Sequence, residues 1–130
     1  MSTREAISTA AEPGAAGPYS QAIRAGGLVF TAGQLGLDPA TGEFSGEDVA
    51  SQAEAALTNL AAILEAAGSG MDRLVKVTVF LADIDDWPAV NEVYARLVPE
   101  PFPARSAFAV KALPRGARVE IEAVAVTSAP

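Results

Sequence analysis

Alternating apolar and polar residues run through five short stretches of this chain, and a period of two is typical of β-strands. The predicted strands lie at residues 20–24, 28–34, 75–81, 104–111 and 118–127. The first two are joined by Ala25-Gly26-Gly27, where glycine can adopt the positive φ that a tight turn needs. Residues 20–34 are therefore predicted to form a β-hairpin.

Two further stretches repeat their apolar residues at helical spacing. Residues 49–67 form the longer one, and Gly68 follows as a C-terminal stop. Ser45-Gly46-Glu47-Asp48 matches the Ser-x-x-acid capping box, in which the serine is the N-cap. A second helix is predicted near residues 87–97, with an N-cap offered by the acidic residues 83–86.

The order of these elements is strand, strand, helix, strand, helix, strand, strand. Two helices against one mixed sheet make a two-layer α+β domain, with both helices on one face. The other face is also predicted to be fairly apolar, because Phe80, Val124 and Val126 alternate with the residues that face the helices. An apolar face needs a cover and no sequence remains to provide it, so we expect self-association.

The composition fits a single domain at residues 18–130, after a small, polar, glycine-punctuated leader at residues 1–17 that we expect to be flexible. The net charge of -7 repels phosphate backbones and anionic membranes. The leader lacks an apolar run of signal-peptide length, and no stretch reaches the roughly 20 apolar residues of a membrane span. We expect a cytoplasmic protein with neither a nucleic-acid nor a membrane partner.

The chain contains no cysteine and no histidine. This removes thiolate nucleophiles, the usual general base and the commonest metal ligands. Carboxylate clusters with metal-binding spacing and glycine-rich phosphate loops are missing from the sequence as well. Any chemistry must use Arg, Asp, Glu, Lys, Tyr, Ser or backbone groups, and we expect no metal.

Arg105 enters an apolar strand, where a guanidinium needs an anionic partner. The alternation places it on the same strand face as Ala107 and Ala109, whose small side chains leave room beside it. A ligand carboxylate that accepts two parallel hydrogen bonds would fit that space. A structural salt bridge, within the chain or between subunits, is the alternative and the commoner case for a lone arginine.

Glu120 and Glu122 share one face of the last predicted strand with apolar neighbours. A desolvated glutamate has a raised pKa and can position or deprotonate water near neutral pH. On spacing alone, simple pairing with Arg118, Arg105 or Lys76 across the sheet is an equally good explanation.

Three other residues could line a site. Asn91 lies beside the aromatic residues of the second helix, where its amide could bind a ligand or tie a loop. Tyr19 could be a polar lid at the edge of the domain or an ordinary surface tyrosine. Gly33 would let a ligand approach a backbone N–H closely, or it could mark a bulge.

Several blocks of this sequence together resemble the Rid family, also called YjgF-like. The blocks occur in the same order and with compatible spacing from about residue 17 to residue 126. They are Gly17-Pro18-Tyr19-Ser20-Gln21, Thr31-Ala32-Gly33-Gln34-Leu35, Asp38-Pro39-Ala40-Thr41-Gly42-Glu43, Val75-Lys76-Val77-Thr78-Val79-Phe80-Leu81, Pro103-Ala104-Arg105-Ser106 and Val119-Glu120-Ile121-Glu122-Ala123.

The resemblance implies a chorismate-mutase-like fold, a homotrimer with sites in the clefts between subunits, and hydrolysis of reactive imines and enamines without metal or organic cofactor. By this resemblance Arg105 grips the substrate carboxylate and Glu120 attends the hydrolytic water. The tyrosine, glycine and asparagine positions of the cleft correspond to Tyr19, Gly33 and Asn91.

Two positions depart from many close deaminases of that family. Ala32 stands where they have a serine, and Ala107 stands where they have a cysteine. Both side chains are therefore dispensable here, or the substrate differs.

Three functions follow as hypotheses from the residues and the resemblance. The first is a deaminase that converts 2-iminoacids of the 2-aminoacrylate type to 2-oxoacids and ammonia. The second is a non-catalytic trimer that binds small carboxylates or regulates through them. The third is RNA cleavage or inhibition of translation, which the missing histidine and the charge of -7 disfavour.

Overall fold

The computed structural model describes residues 3–11, 14–15 and 17–127, and over these the chain forms one mixed sheet with two α-helices on one face. The helices are α1 (Val49–Ala66) and α2 (Trp87–Leu97). The strands are β1 (Glu5–Ile7), β2 (Ala22–Ala25), β3 (Leu28–Thr31), β4 (Gln34–Leu35), β5 (Leu74–Leu81), β6 (Ala104–Ala109) and β7 (Val119–Val126). The predicted two-layer α+β architecture is confirmed.

The strands lie in the order β1-β2-β3-β7-β5-β6, and β4 also pairs with β7. Every pairing is antiparallel except that of β5 with β6, which is parallel. A parallel pair needs a crossover, and α2 provides it between these two strands. This places β6, with Arg105, at the edge of the sheet.

Two strands were not predicted from the sequence. β1 pairs with β2 and buries Ile7, so part of the predicted leader joins the sheet. The division of the chain at residue 18 stays a prediction.

The second unpredicted strand, β4, arises from a bulge. Phe30 of β3 pairs with Val124, whereas Gln34 of β4 pairs with Ile121, so the β3–β4 side carries one extra residue. The amide of Ala123 donates instead to the hydroxyl of Thr31 at 3.0 Å. Gly33 lies in this bulge. Of the two interpretations of Gly33 from the sequence, close approach of a ligand or a bulge, the structure therefore shows the bulge.

The core lies between α1, α2 and the sheet. Val77, Val79 and Leu81 of β5 point toward the helices, as do the odd-numbered residues of β7, and all of these side chains are buried. From α1, Leu57 and Leu60 pack against them with no more than 1% of their surface exposed. This packing fixes which sheet face each β-strand residue occupies.

The face of the sheet opposite the helices is uncovered and partly apolar, as predicted. Phe30 and Phe108 are each 44% exposed and Val126 is 38% exposed. The rings of Phe80 and Phe108 meet edge to face there, with centroids 5.3 Å apart. Self-association through this face stays a prediction.

The predicted N-cap of α1 is wrong. The helix begins after Asp48, whose Oδ2 accepts a hydrogen bond from the backbone N–H of Ser51 at 2.9 Å. Hydrogen bonds from Ser51 lower the pKa of the Asp48 carboxyl. Ser45 lies in the preceding loop, three residues before the N-cap, and its N–H donates to the carbonyl of Gly36.

The C-terminal stop of α1 agrees with the prediction, because Gly68 has φ +80°. Over the described residues, no helix combines the length and apolar character that a membrane crossing requires. The cytoplasmic location expected from the sequence stays a prediction.

Candidate active site

Arg105 lies on the edge strand β6 and is exposed. In the parallel pairing with β5 it stands beside Val77, a residue of the helix-covered face. Side chains of directly paired residues occupy the same face, so Arg105 extends along the helix side of the sheet, toward α2.

Two aromatic rings of α2 contact the Arg105 guanidinium. Its Cζ lies 4.4 Å from the ring centroid of Trp87 and 4.5 Å from that of Tyr94. Within the described residues no carboxylate forms an ion pair with Arg105. The intramolecular salt bridge considered from the sequence is therefore not formed by this part of the chain, and the guanidinium keeps its hydrogen-bond donors for another partner.

A partly buried carboxylate ties the start of α2 to the sheet. One guanidinium nitrogen of Arg118 (Nη2) donates to both oxygens of Asp86, at 3.1 and 3.0 Å. The Asp86 side chain is only 16% exposed, so this ion pair is partly shielded from water. It fixes the residue directly before Trp87.

Arg105 opens into a cavity of about 290 Å³, here called the arginine cavity. Its lining residues are Asn91, Tyr94, Ala95, Phe102, Pro103 and Arg105. Asn91, predicted to lie beside the aromatic residues of the second helix, lines the same cavity as Arg105. Ala107 instead packs half-buried against the helix core, on the same strand face as Arg105.

Glu120 lines a different cavity of about 280 Å³, here called the glutamate cavity, together with Tyr19 and Gly33. Gly33 is packed directly against the Glu120 side chain, and a Cβ at this position would collide with the carboxylate. A Cβ at Gly33 would force the Glu120 side chain to move from its present position, so glycine lets that carboxylate lie against the backbone. The structure thus brings three of the predicted residues together.

Burial raises the pKa of the Glu120 carboxyl, and the nearby charge of Glu122 raises it further. Desolvation disfavours the charged form of a carboxyl, and a like charge does the same. Glu120 therefore holds its proton to a higher pH than an ordinary glutamate does.

Arg105 and Glu120 lie on opposite sides of the sheet within one chain. Glu120 pairs with Phe80 of β5, whereas Arg105 pairs with Val77, three residues away on the same strand. Positions an odd number of residues apart in a strand face opposite ways. The arginine cavity and the glutamate cavity are therefore separate cavities on opposite sides of the sheet of one chain.

Sequence reasoning missed the contacts that hold Arg105. Trp87 and Tyr94 were recognised as aromatic neighbours of Asn91, but their contact with Arg105 depends on the parallel pairing of β6 with β5. Nothing in the local sequence signals that pairing.

Arg115 was also missed, and it borders the glutamate cavity. It adopts φ +60°, an unusual conformation for a residue other than glycine. Its Nη1 donates to the carbonyl of Gly42 at 3.0 Å and its guanidinium lies over the ring of Phe44. These contacts tie the β6–β7 loop to the loop before α1.

Comparison with known proteins places this geometry in a family. The family model described as Endoribonuclease L-PSP matches residues 9–127. A RutC family protein of Sinorhizobium fredii is 54% identical over 120 residues, which cover 92% of this chain and 95% of that protein. The bovine 2-iminobutanoate/2-iminopropanoate deaminase is 52% identical over 123 residues, which cover 95% of this chain and 90% of that protein.

A solved structure agrees with the fold over nearly the whole chain. The crystal structure of E. coli TdcF with bound serine matches with a TM-score of 0.91 and 42% identity, covering 95% of this chain and 99% of that one. Together with the family model and the relatives above, this likeness shows that the chain belongs to the Rid (YjgF-like) family.

Proposed function

We propose that this protein is a hydrolytic deaminase that converts 2-iminoacids to 2-oxoacids and ammonia. Relatives that share about half of its residues over nearly its whole length carry the name of that activity. The observation that carries the proposal is the Arg105 guanidinium, which lies in a cavity between aromatic rings and has no carboxylate partner within the described residues. A small carboxylate is the ligand that such an arginine binds best.

The reaction requires little from the protein. Arg105 binds the substrate carboxylate with two hydrogen bonds and so fixes the position of the neighbouring imine carbon. Glu120 accepts a proton from water as the water oxygen attacks that carbon. Glu120 returns this proton to the imine nitrogen, which gives the neutral carbinolamine. Glu120 then takes the hydroxyl proton of the carbinolamine and passes it to the nitrogen as the C–N bond breaks, so that ammonia leaves and a 2-oxoacid remains.

The proposed active site combines the arginine cavity of one subunit with the glutamate cavity of the next. One chain cannot bring both groups to one substrate, because they lie on opposite sides of its sheet. In a homotrimer the edge strand β6 of each subunit would lie next to the uncovered face of its neighbour. Burying Phe30, Phe108 and Val126 there would supply the driving force for assembly.

The remaining predicted residues take supporting roles in this proposal. Asn91 offers an amide beside Arg105, and Tyr19 offers a half-exposed phenol at the mouth of the glutamate cavity. Gly33 gives Glu120 room to lie against the backbone. Ala107 lies on the same strand face as Arg105, and its small side chain packs against the helix core.

A non-catalytic carboxylate-binding protein is the alternative function. Such a protein would need Arg105 but would have no use for a glutamate whose burial raises its pKa. RNA cleavage, which the family model's description names, is a poorer match for a chain with a net charge of -7 and no histidine.

The proposal is tested by release of 2-oxoacid from freshly generated 2-iminobutanoate. The wild-type chain should accelerate hydrolysis over the protein-free control, and Arg105→Ala should lower kcat/KM at least about 100-fold through lost orientation. Arg96→Ala is the matched control, since the Arg96 side chain is 57% exposed, pairs with Glu54 of α1 at 3.5 Å and lines neither cavity. Wild-type activity equal to the protein-free control would overturn the proposal in favour of the binding protein.

A further inference from the structure

We propose that Trp87 and Tyr94 are positioning residues that hold the Arg105 guanidinium in the orientation needed to bind a carboxylate. The inference rests on the proposed function, since it assigns the support of the same arginine. It adds two residues of α2 to the site, neither of which needs to touch the substrate.

The spacing of the two rings places the guanidinium between them. Trp87 and Tyr94 are seven residues apart, and this separates their backbones by about 10.5 Å along the helix. Both ring centroids nevertheless lie within 4.5 Å of Cζ of Arg105. The rings therefore lean toward each other with the guanidinium between them.

In this arrangement the edge of the guanidinium, which carries its N–H donors, stays available to a ligand. Aromatic rings attract a guanidinium through its faces, whereas its N–H donors all lie in its plane. Two parallel N–H groups at the edge can still bind both oxygens of a carboxylate. Rings stacked on these faces would fix the plane of the guanidinium and leave its edge N–H groups to the ligand.

A carboxylate of the protein could also hold Arg105 in place, but it would neutralise the positive charge that attracts the ligand. Each aromatic contact holds a cation by its quadrupole and leaves the full positive charge for the ligand. A long arginine side chain on an exposed edge strand would otherwise lose considerable rotamer freedom on binding. Preorganisation by the rings reduces that loss and so strengthens carboxylate binding.

Two structural details favour a positioning role over simple packing. Burial raises the pKa of the Tyr94 hydroxyl and the neighbouring Arg105 guanidinium lowers it, so the hydroxyl as well as the ring of Tyr94 lies next to that guanidinium. Trp87 is only half-buried, and the Arg118–Asp86 ion pair fixes the residue before it. The Tyr94 ring is held in the core, the Trp87 ring packs against that core, and the ion pair holds the start of their helix.

Replacing an aromatic residue by leucine distinguishes positioning from simple packing, because leucine fills space but has no aromatic face. In the full-length protein, Trp87→Leu should raise the Kd of 2-oxobutanoate and the KM for 2-iminobutanoate by about fivefold to thirtyfold, the range of one cation–π contact. Trp87→Phe keeps an aromatic face and should restore binding to within about threefold of wild type. Calorimetry gives Kd, and steady-state hydrolysis gives KM and kcat.

Tyr94→Leu and Tyr94→Phe form the second matched pair, with the same expectation. Thermal unfolding and oligomeric state are measured for each variant, since Tyr94 lies in the core. If Tyr94→Leu does not fold, the half-buried Trp87 decides the question by itself. Leucine variants that lower Tm yet bind 2-oxobutanoate as tightly as the wild type would overturn the positioning role.

The fluorescence of Trp87 gives an independent measurement, because it is the single tryptophan of the chain. Butanoate should change the emission of the wild type and should leave that of Arg105→Ala unchanged. An identical response in both proteins would contradict binding of the ligand to the guanidinium that Trp87 contacts. If the wild type binds butanoate but hydrolyses no imine, the proposed deaminase fails while the positioning role is still measured.

Discussion

At the scale of single residues, the site depends on two charges in different surroundings. Arg105 is exposed at a sheet edge and held by aromatic rings, so its charge is available to a ligand. Glu120 is half-buried against Gly33, so its charge is disfavoured and its pKa is raised. The first arrangement suits binding of an anion, and the second suits transfer of a proton near neutral pH.

The raised pKa of Glu120 predicts that Glu120→Gln stabilises the protein while inactivating it. Between the ordinary glutamate pKa and the raised one, the folded chain binds more protons than the unfolded chain. Stability therefore falls as pH rises through that window, and the substitution removes this cost. Tm should be higher than that of the wild type at pH 7, and the two should converge below pH 4.

Glu122→Gln is the matched variant on the same strand. It removes the like charge that helps to raise the pKa of Glu120, so the acid limb of the activity profile should move to lower pH. A profile of kcat/KM against pH measures this shift. An unchanged acid limb would show that the charge of Glu122 does not act on the group that carries the proton.

At the scale of elements, the longest helix tests how well a short motif predicts a helix start. Ser45-Gly46-Glu47-Asp48 has the form of a capping box, but the N-cap is Asp48, which accepts the bond from Ser51 N–H. Ser45 and Asp48 are both residue types that cap helices, and the motif alone does not show which of them is the N-cap. The choice depends on where the preceding loop meets the sheet, and Ser45 is held there by Gly36.

The assignment of the N-cap predicts a difference between two alanine substitutions. Asp48→Ala should lower Tm by a few degrees at pH 7, whereas Asp48→Asn, which can also cap, should lower it less. The folded-state pKa of Asp48 is lowered, so its contribution is present at neutral pH and is lost as pH falls through that pKa. Ser45→Ala should leave Tm unchanged, and a larger loss from Ser45→Ala than from Asp48→Ala would contradict the assignment.

Elements with strong periodicity were predicted closely, and those that depend on distant partners were not. The second helix lies at Trp87–Leu97, as predicted, and β5 and β7 agree within one or two residues. β1 is three residues long and is a strand only because β2 lies beside it. The break between β3 and β4 comes from their shared pairing with β7 across the bulge.

The site, too, was predicted from its residue types but not from the pairing of strands distant in sequence. Residue types and alternation identified Arg105, Glu120 and Asn91 as candidates, and the family resemblance gave each a role. The separation of Arg105 and Glu120 onto opposite sides of the sheet follows from the register of β6, β5 and β7. Register between strands distant in sequence is set by the whole packed core, so no local pattern contains it.

At the scale of the whole molecule, the account requires more than one chain at each site. A single chain presents the arginine cavity and the glutamate cavity on opposite sides of its sheet, and an uncovered apolar sheet face. A cyclic trimer would join the arginine cavity of each subunit to the glutamate cavity of its neighbour and would cover the apolar residues in the same step. Catalysis would then require assembly of the trimer.

Mixing two inactive variants tests this central claim most directly. Arg105→Ala and Glu120→Gln chains are unfolded together in equal amounts, refolded, isolated as trimers and assayed for hydrolysis of 2-iminobutanoate. At random assembly half of the interfaces receive an intact Arg105 and half of those an intact Glu120, so we predict about a quarter of the wild-type activity. Trimers of either variant alone should be inactive, and mixed trimers that are equally inactive would contradict a site shared between subunits.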